Sequence, residues 1–185
     1  MRKKRLNTKL ILFFFRFLFF YAIENVFHQT LRILKLKMKS LKKFLKSKKY
    51  TCISLKLTNT NHFALTAKIN GISGRFILDT GASNTCISLD KIDFFNLSSK
   101  ESKIKAAGAG ATNMETLISN KNEIKIQNWK KNKVNIVLFD LVHVNEALIA
   151  HNSLPVDGII GADILKKAKA IIDYDKSCVY LKLKK

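Results

Sequence analysis

The triplet Asp79-Thr80-Gly81 is the segment of this sequence best suited to do chemistry. It follows the apolar run 76–78, which predicts a buried strand that delivers the carboxylate into a tight turn. Burying a charged carboxylate is costly unless it is paired or protonated, so an Asp in this place is a candidate acid or base. Thr80 offers a hydroxyl donor, and Gly81 lets another backbone approach closely. The simpler alternative is that Asp and Gly only form a turn after a strand.

The sequence gives little support to metal or thiol chemistry. Its four His and three Cys residues show no CxxC, HxxxH or HExxH spacing, so we expect neither a metal site nor a cofactor. Cys86 lies close to the triplet but has no His beside it in sequence, which favours a buried apolar role over that of a nucleophile. So few cysteines do not require an oxidising compartment, and a cytoplasmic location is expected.

Short strands dominate the chain from residue 50 onward. Apolar and polar residues alternate between turn signals such as Asn70-Gly71, and only residues 162–169 have a convincing helical pattern. Many short strands at roughly even spacing predict an all-β barrel or sandwich that forms one domain, residues 50–185. The predicted strands are 51–57, 62–69, 75–78, 85–89, 103–107, 115–118, 123–126, 133–139, 170–172 and 178–183.

The net charge of +21 is concentrated at the N terminus. Residues 1–49 hold 15 of the 34 Lys and Arg residues and one acid, Glu24, whereas the remainder holds 19 basic and 12 acidic residues. The body is therefore only moderately basic, and it has no nucleic-acid-binding motif and no aromatic–basic stacking pattern. A specific nucleic-acid partner is not expected.

Residues 1–49 are predicted to be a separate N-terminal extension, for which three interpretations stay open. A basic start at 1–5 and a 14-residue apolar run at 10–23 have the order of a signal peptide, but no small-residue cleavage site follows. The run is shorter than the roughly 20 residues of a membrane span. Apolar residues at helical spacing between 31 and 45 predict a basic amphipathic helix on an anionic membrane surface. Met38 also offers an independent start, in which case residues 1–37 are not translated.

A second motif, Gly158-Ile159-Ile160-Gly161, follows the triplet in the chain. Together with the segment 76–83, the Gly-Ala-rich tip at 108–110 and the closing segments 171–174 and 179–181, it resembles the retropepsin-like aspartic proteases of the bacterial type. These proteins are single-domain relatives of pepsin, and the resemblance covers residues 61–183. It implies a closed, single-lobe β barrel with one short C-terminal helix.

The resemblance also implies an aspartic endopeptidase that works as a homodimer on peptide or protein substrates. Pepsin-type enzymes carry two such triplets in one chain, whereas this chain has one and is too short for two lobes. Asp79 of each subunit would then meet its copy at a two-fold axis. Two carboxylates about 3 Å apart share one proton, so that one activates a water and the other protonates the scissile carbonyl.

The active-site loop takes its roles from the same resemblance. Thr80 would hydrogen-bond across the dimer, and Gly81 would offer its backbone to substrate. Pepsin-like enzymes carry Ser or Thr at the position of Ala82, where a hydroxyl favours the ionised dyad, whereas retroviral enzymes carry Ala. Loss of that donor raises the apparent pKa of the dyad, so we expect a pH optimum in the weakly acidic to neutral range.

Two further groups of residues are implied by the resemblance. A Gly-rich tip would form a flap that closes over a bound peptide, for which the alternative is an ordinary flexible hairpin. An apolar pair and the glycine after it would pack under the active-site loop and let it pass closely. The flap residues are Gly108, Ala109 and Gly110, and the packing residues are Ile159, Ile160 and Gly161.

The sequence departs from the retroviral pattern at the dimer interface. Retroviral proteases pair an Asp after the triplet with an Arg in the late helix, and the matching positions here hold Ser83 and Ala162. Asp163 follows, and Arg75 is a guess for its partner. Two alternatives to an active dimer therefore stay open: a catalytically silent peptide-binding module of the same fold, and a membrane-tethered adaptor in which residues 1–49 matter most.

Overall fold

The computed structural model describes residues 21, 23–30, 41–102, 106–108, 111–114 and 116–184. The chain divides into two units, Met1–Phe44 and Leu45–Lys185. In the first unit, the described residues are helical and exposed, and most of the predicted apolar run and amphipathic helix lies outside them. No helix in the described ranges combines the length and apolar character needed to cross a bilayer.

The second unit is built mainly from short strands, as the sequence predicts. Apart from the helical residues 21 and 23–30 of the first unit, the described helices are α1 (Leu41–Ser47), α2 (Val142–Ala150) and α3 (Ala162–Lys167), with a 3-10 turn at Leu89–Lys91. The described strands are β1 (Tyr50–Ser54), β2 (Lys56–Leu57), β3 (Phe63–Ile69), β4 (Ile72–Leu78), β5 (Cys86–Ser88), β6 (Ser99–Glu101), β7 (Ala106–Gly108), β8 (Ala111–Met114), β9 (Leu117–Ile126), β10 (Trp129–Phe139), β11 (Gly158–Ile160), β12 (Ile171–Asp173) and β13 (Cys178–Lys182).

Six of these strands close into a barrel in the order β3-β4-β11-β5-β10-β9, because β9 pairs with β3 as well as with β10. The β4–β11 and β5–β10 pairings are parallel. The pairings β3–β4, β11–β5, β10–β9 and β3–β9 are antiparallel. Strand β2 is added beside β3, and β6 is added beside β9. The predicted closed all-β architecture is thus confirmed, with its inward and outward residues set by the period-two alternation of the strands.

The turn between β3 and β4 follows directly from two residues. Asn70 and Gly71 have φ values of 49° and 89°, and Ile69 lies opposite Ile72. Positive φ at both central positions is the hairpin geometry that an Asn-Gly pair favours, because it matches the twist of the flanking strands. This turn fixes the register of β4, the strand that leads to Asp79.

The barrel is filled by one apolar cluster drawn from all of its strands. Phe76 of β4, Ile124 of β9, Ile136 of β10 and Ile160 of β11 have no measurable exposure. Their sequence neighbours point outward, as Lys125 does between two buried isoleucines of β9. Because a one-residue slip would turn these side chains to solvent, the cluster fixes the strand register.

The helix content is larger than the single short C-terminal helix that the sequence predicts. Helix α3 lies within the expected segment, but α2 also forms, between β10 and β11. Its N-cap residue, Leu141, makes no side-chain capping bond, and Leu148 is the residue that α2 buries. Leu148 packs with Ile77 and Val156, and Asp140 Oδ1 accepts a hydrogen bond from the Val142 amide at 2.8 Å, so tertiary contact and a local side-chain cap both stabilise this helix.

The chain ends form a separate three-stranded sheet in the order β1-β13-β12. The C-terminal strand lies in its centre, with Cys52 of β1 opposite Tyr180 of β13. Leu45 of α1 packs on one face of this sheet against Cys178 and Tyr180. The charged C-terminal segment is therefore paired within its own chain up to Lys182.

Candidate active site

Asp79 directly follows the last residue of β4 and is half-buried at the end of the barrel. Its carboxylate oxygen Oδ1 accepts a hydrogen bond from the Gly81 amide at 2.8 Å, which closes an Asx turn. The Asp79 amide donates to the Ile160 carbonyl oxygen at 3.1 Å. The carboxylate is thus held by its own turn and the Asp79 backbone is held by β11, while Thr80 and Gly81 are exposed.

The loop from Ala82 to Asn84 passes very close to the start of α3. The Ala162 amide donates to the Ala82 carbonyl oxygen at 2.8 Å. A Cβ at Gly161 would lie 2.6 Å from the Asn84 carbonyl oxygen, a distance that real Cβ atoms do not show. Any larger residue at position 161 must therefore push the loop away from the helix.

The two isoleucines before Gly161 occupy different environments. Ile160 is fully buried in the barrel, opposite Leu78 in the parallel β4–β11 pairing. Ile159 is half-buried on the other face of β11 and packs with the cluster that contains Ile77. Strand β11 of the motif 158–161 thus pairs with β4, the strand that leads to Asp79. Its two isoleucines pack on opposite faces of the sheet.

Thr85 and Asp163 form a hydrogen-bonded link beneath the loop. The amide and the hydroxyl of Thr85 both donate to Asp163 Oδ1 at 2.8 Å. The Thr85 hydroxyl oxygen also accepts a hydrogen bond from the Gly161 amide at 3.0 Å. Thr85 is fully buried, and its hydroxyl is the acceptor for the buried Gly161 amide and one of two donors to the partly exposed Asp163 carboxylate.

The guess that Arg75 is the partner of Asp163 is wrong. Among the described residues, the cation nearest to Asp163 is Lys167, one turn later in α3, with 3.6 Å between its Nζ and Asp163 Oδ2. Arg75 lies in β4, and its amide donates to Asp157 Oδ2 at 2.8 Å. Asp163 instead receives two donors from Thr85, which a carboxylate accepts without a buried cation.

Three polar residues that sequence analysis did not identify support the strands around the site. Asp157 accepts from Arg75 with its side chain, and its carbonyl oxygen accepts from the Ser88 amide at 3.0 Å. Asn145 of α2 donates to the Val156 carbonyl oxygen at 3.1 Å and accepts from the Val156 amide at 2.8 Å. Thr85 is the third. No local sequence signal marks these contacts, because their partners lie more than ten positions away.

Cys86 is buried, as predicted, with 3% of its surface exposed. Burial, which disfavours the charged thiolate, raises the pKa of this thiol to about 12, and the nearby Asp79 and Asp163 carboxylates add to the effect. A thiol with such a pKa is neutral near pH 7, and only the thiolate is a competent nucleophile. Cys86 is therefore not a competent nucleophile beside Asp79 near pH 7.

The proposed flap falls largely outside the described residues. Ala109 and Gly110 are not described, and Gly108 ends β7, where it lies opposite Ala111 of β8. The flap function thus remains a prediction. Within the described part of the chain, no cluster of three or more His, Cys, Asp or Glu side chains is arranged to hold a metal ion.

Comparison with known proteins gives a family match across this part of the chain. A family model described as aspartyl protease matches residues 65–164, which is more than half of the chain and contains both sequence motifs. No curated protein matches.

The similar solved structures include three of 16–20% identity. A retropepsin-like aspartic protease from Rickettsia conorii is 17% identical, with 72% of this chain and 90% of that chain covered and a TM-score of 0.49. The EIAV protease complexed with the inhibitor HBY-793 is 20% identical, with 60% and 90% covered and a TM-score of 0.45. The retroviral protease-like domain of Ddi1 from Leishmania major is 16% identical, with 68% and 90% covered and a TM-score of 0.47.

Proposed function

The chain belongs to the aspartyl protease family, and from that premise we propose that it is an aspartic endopeptidase whose dyad is formed by Asp79 of two identical subunits. The observation that carries the proposal is the setting of Asp79. A single carboxylate stands half-buried at the end of a barrel strand, in a turn closed by the Gly81 amide, beside exposed backbone. The chain supplies one Asp-Thr-Gly triplet, so a second carboxylate has to come from a second copy.

The proposed mechanism needs only these two carboxylates and a water. Like charges at about 3 Å cannot both ionise, so the pair holds one proton and titrates as a unit. The ionised Asp79 takes a proton from the water, whose oxygen attacks the scissile carbonyl carbon. The protonated Asp79 donates its proton to the carbonyl oxygen, and the resulting tetrahedral species then collapses with a proton passed to the leaving amine.

The exposed part of the loop fits the remaining roles. Thr80 and Gly81 are exposed, as expected if Thr80 bonds across a two-fold axis and Gly81 presents its backbone to a substrate. The close approach of Gly161 and the bond from Ala162 to Ala82 hold the loop from behind. Such support matters because catalytic groups act only when held close to the productive geometry.

The test of this proposal is cleavage of a mixed peptide library by the full chain, read by mass spectrometry over a range of enzyme concentrations. An endopeptidase assembled from two copies is expected to cut internal bonds, at a rate that rises with about the square of concentration where dimers are scarce. Binding of peptides without cleavage, at concentrations where the protein is dimeric, would favour the silent peptide-binding module instead.

The pH dependence of cleavage is expected to be that of a dyad without a neighbouring hydroxyl. At the position of Ala82 no side-chain donor favours the ionised pair, so the acid limb of the pH–rate profile is expected at higher pH than in a pepsin-like site. The rate should peak between weakly acidic and neutral pH. The substitution Ala82→Ser should move the acid limb to lower pH, and a wild-type profile that peaks near about pH 2–3 would contradict this reasoning.

A further inference from the structure

Two of the three cysteines, Cys52 and Cys178, come together in the three-stranded sheet of the chain ends. Cys52 of β1 lies opposite Tyr180 of β13, and Cys178 lies two residues before Tyr180 on the same strand. Residues two apart on a strand share one face, so both thiols lie on that face as diagonal neighbours. More than a hundred residues separate them in sequence, and the pairing of β1 with β13 brings them together.

A small apolar cluster surrounds this pair of cysteines. Cys178 is 3% exposed and packs with Tyr180 and Leu45, while Cys52 is half-buried and packs against the same cluster. Burial is the largest cause of the raised pKa of the Cys178 thiol. A hydrogen bond from Tyr180 opposes this effect, and the interaction with the Cys52 thiol adds to it. The two thiols are therefore direct neighbours, and Cys52 is the more exposed of them.

The arrangement of the two cysteines is close to that of a disulfide. Diagonal neighbours in a sheet have Cα atoms about 7–8 Å apart and shorter Cβ separations. A disulfide usually spans about 4.4–6.8 Å between Cα atoms, so closing the bond requires a small shift of one strand. Strand β1 lies at the edge of its sheet with β13 as its neighbour, so it can make this shift without disturbing a second strand pairing.

The third cysteine lies in a different part of the fold. Cys86 belongs to β5 of the barrel, where it is 3% exposed and lies near Asp79 and Asp163. It is not a member of the cluster that holds the other two cysteines. Cys86 therefore serves as an internal control for thiol oxidation.

We propose that Cys52 and Cys178 form a reversible oxidation site, in which hydrogen peroxide converts the two thiols into a disulfide within one chain. The more exposed Cys52 reacts first. Its sulfur attacks one peroxide oxygen, the O–O bond breaks, and a sulfenic acid and one water are formed. The Cys178 sulfur then attacks the Cys52 sulfur, an S–S bond replaces the S–O bond, and a second water leaves with the Cys178 proton. The two sulfurs together lose the two electrons that the peroxide gains.

The proposed bond would fasten the first described strand to the last. A disulfide that closes a long loop restricts the unfolded chain more than one that closes a short loop. We therefore expect oxidation to raise Tm by about 10 °C, and we expect a dithiol reductant to reverse the change. The proposal concerns the thiols of the end sheet alone and does not depend on proteolytic activity.

The test treats the reduced full chain with hydrogen peroxide and digests it with trypsin in the absence of reductant. Trypsin cuts after Lys and Arg, so the bond is expected to join the peptides 50–56 and 177–182, which mass spectrometry detects as one linked species. Free thiols counted in denaturant should fall from three to one. Thermal unfolding followed by circular dichroism should show the rise in Tm, and dithiothreitol should restore both the thiols and the original Tm.

Two variants separate this pair from thiol oxidation in general. Cys86→Ala keeps both partners and is expected to give the same linked peptides and the same rise in Tm. Cys52→Ser should give no linked peptide and no rise in Tm after the same treatment. Linked peptides that contain Cys86, a bond found only between two copies, or an equal rise in Tm in Cys52→Ser would overturn the proposal. So would three unchanged thiols in the wild type, or a product that dithiothreitol does not reverse.

Discussion

Exchanging Asp79 for Asn is expected to reduce peptide hydrolysis by at least about ten-thousandfold, because the general base and the general acid are lost from both subunits at once. The amide oxygen of Asn can still accept the hydrogen bond from the Gly81 amide, which Asp79 now receives at 2.8 Å. We therefore expect the variant to keep the fold, the thermal stability and the oligomeric state of the wild type. The measurement is kcat/KM on a peptide that the wild type cuts.

A subunit-mixing experiment separates a shared dyad from two independent sites. When wild-type and Asp79→Asn subunits are mixed in equal amounts and allowed to exchange, about a quarter of randomly formed dimers carry two Asp79 carboxylates. Activity per wild-type subunit should then fall by about half, whereas independent sites would leave it unchanged. Asp175→Asn is the matched control, because Asp175 is an exposed turn residue with an ion pair only to its neighbour Lys176. Cleavage retained by Asp79→Asn would remove the proposed mechanism.

The substitution Thr85→Val is expected to destabilise the protein by roughly 3 kcal/mol, because it leaves the buried Gly161 amide without its acceptor and removes one of the two donors to the Asp163 carboxylate. Val has nearly the shape of Thr but lacks the hydroxyl that donates to Asp163 and accepts from the Gly161 amide. For a domain of this size, the loss corresponds to a fall in Tm of about 10 °C. Thermal unfolding followed by circular dichroism measures it.

Two control variants identify the hydroxyl as the cause. Thr85→Ser keeps the hydroxyl and is expected to lose much less stability than Thr85→Val. Thr66→Val makes the same chemical change at an exposed strand position and should remain within about 0.5 kcal/mol of the wild type. If Thr85→Val and Thr85→Ser unfold at the same temperature, the hydroxyl does not link the loop to α3 in the way described.

Local patterns in the sequence were sufficient for the position of Asp79 and for strands such as β3, β4 and β5. The short strands β6 and β11 were not predicted, and β9 was predicted as two separate strands. Alternation of apolar and polar residues is visible along a single strand, and Asn70-Gly71 has a conformational preference of its own, so neither needs the rest of the fold to be recognised. The order of the triplet and the motif 158–161 was sufficient for the family, which the match over residues 65–164 bears out. The position of Asp79 within this order of motifs therefore identified it as the candidate catalytic carboxylate.

The packing that supports the loop was decided only by tertiary structure. The hydrogen bonds from Thr85 to Asp163 join residues 78 positions apart. The hydrogen bonds between Asn145 and Val156 hold the segment that connects α2 to β11. Helix α2 has a side-chain cap in Asp140 but no obvious apolar face, so the packing of Leu148 against Ile77 and Val156 was not visible in its sequence. Contacts between distant segments depend on how the barrel closes, and local sequence patterns do not predict that closure.

Three exposed lysines of the barrel show the same division between sequence and structure. The sequence alone determined that the chain is strongly basic, that one Asp-Thr-Gly triplet is present and that the body consists of short strands. It did not determine that Lys68, Lys125 and Lys130 share one row, because they belong to three strands whose pairing joins distant residues. The register of the closed barrel decides which charges meet, and that register is fixed by burial of the apolar side chains on the opposite face.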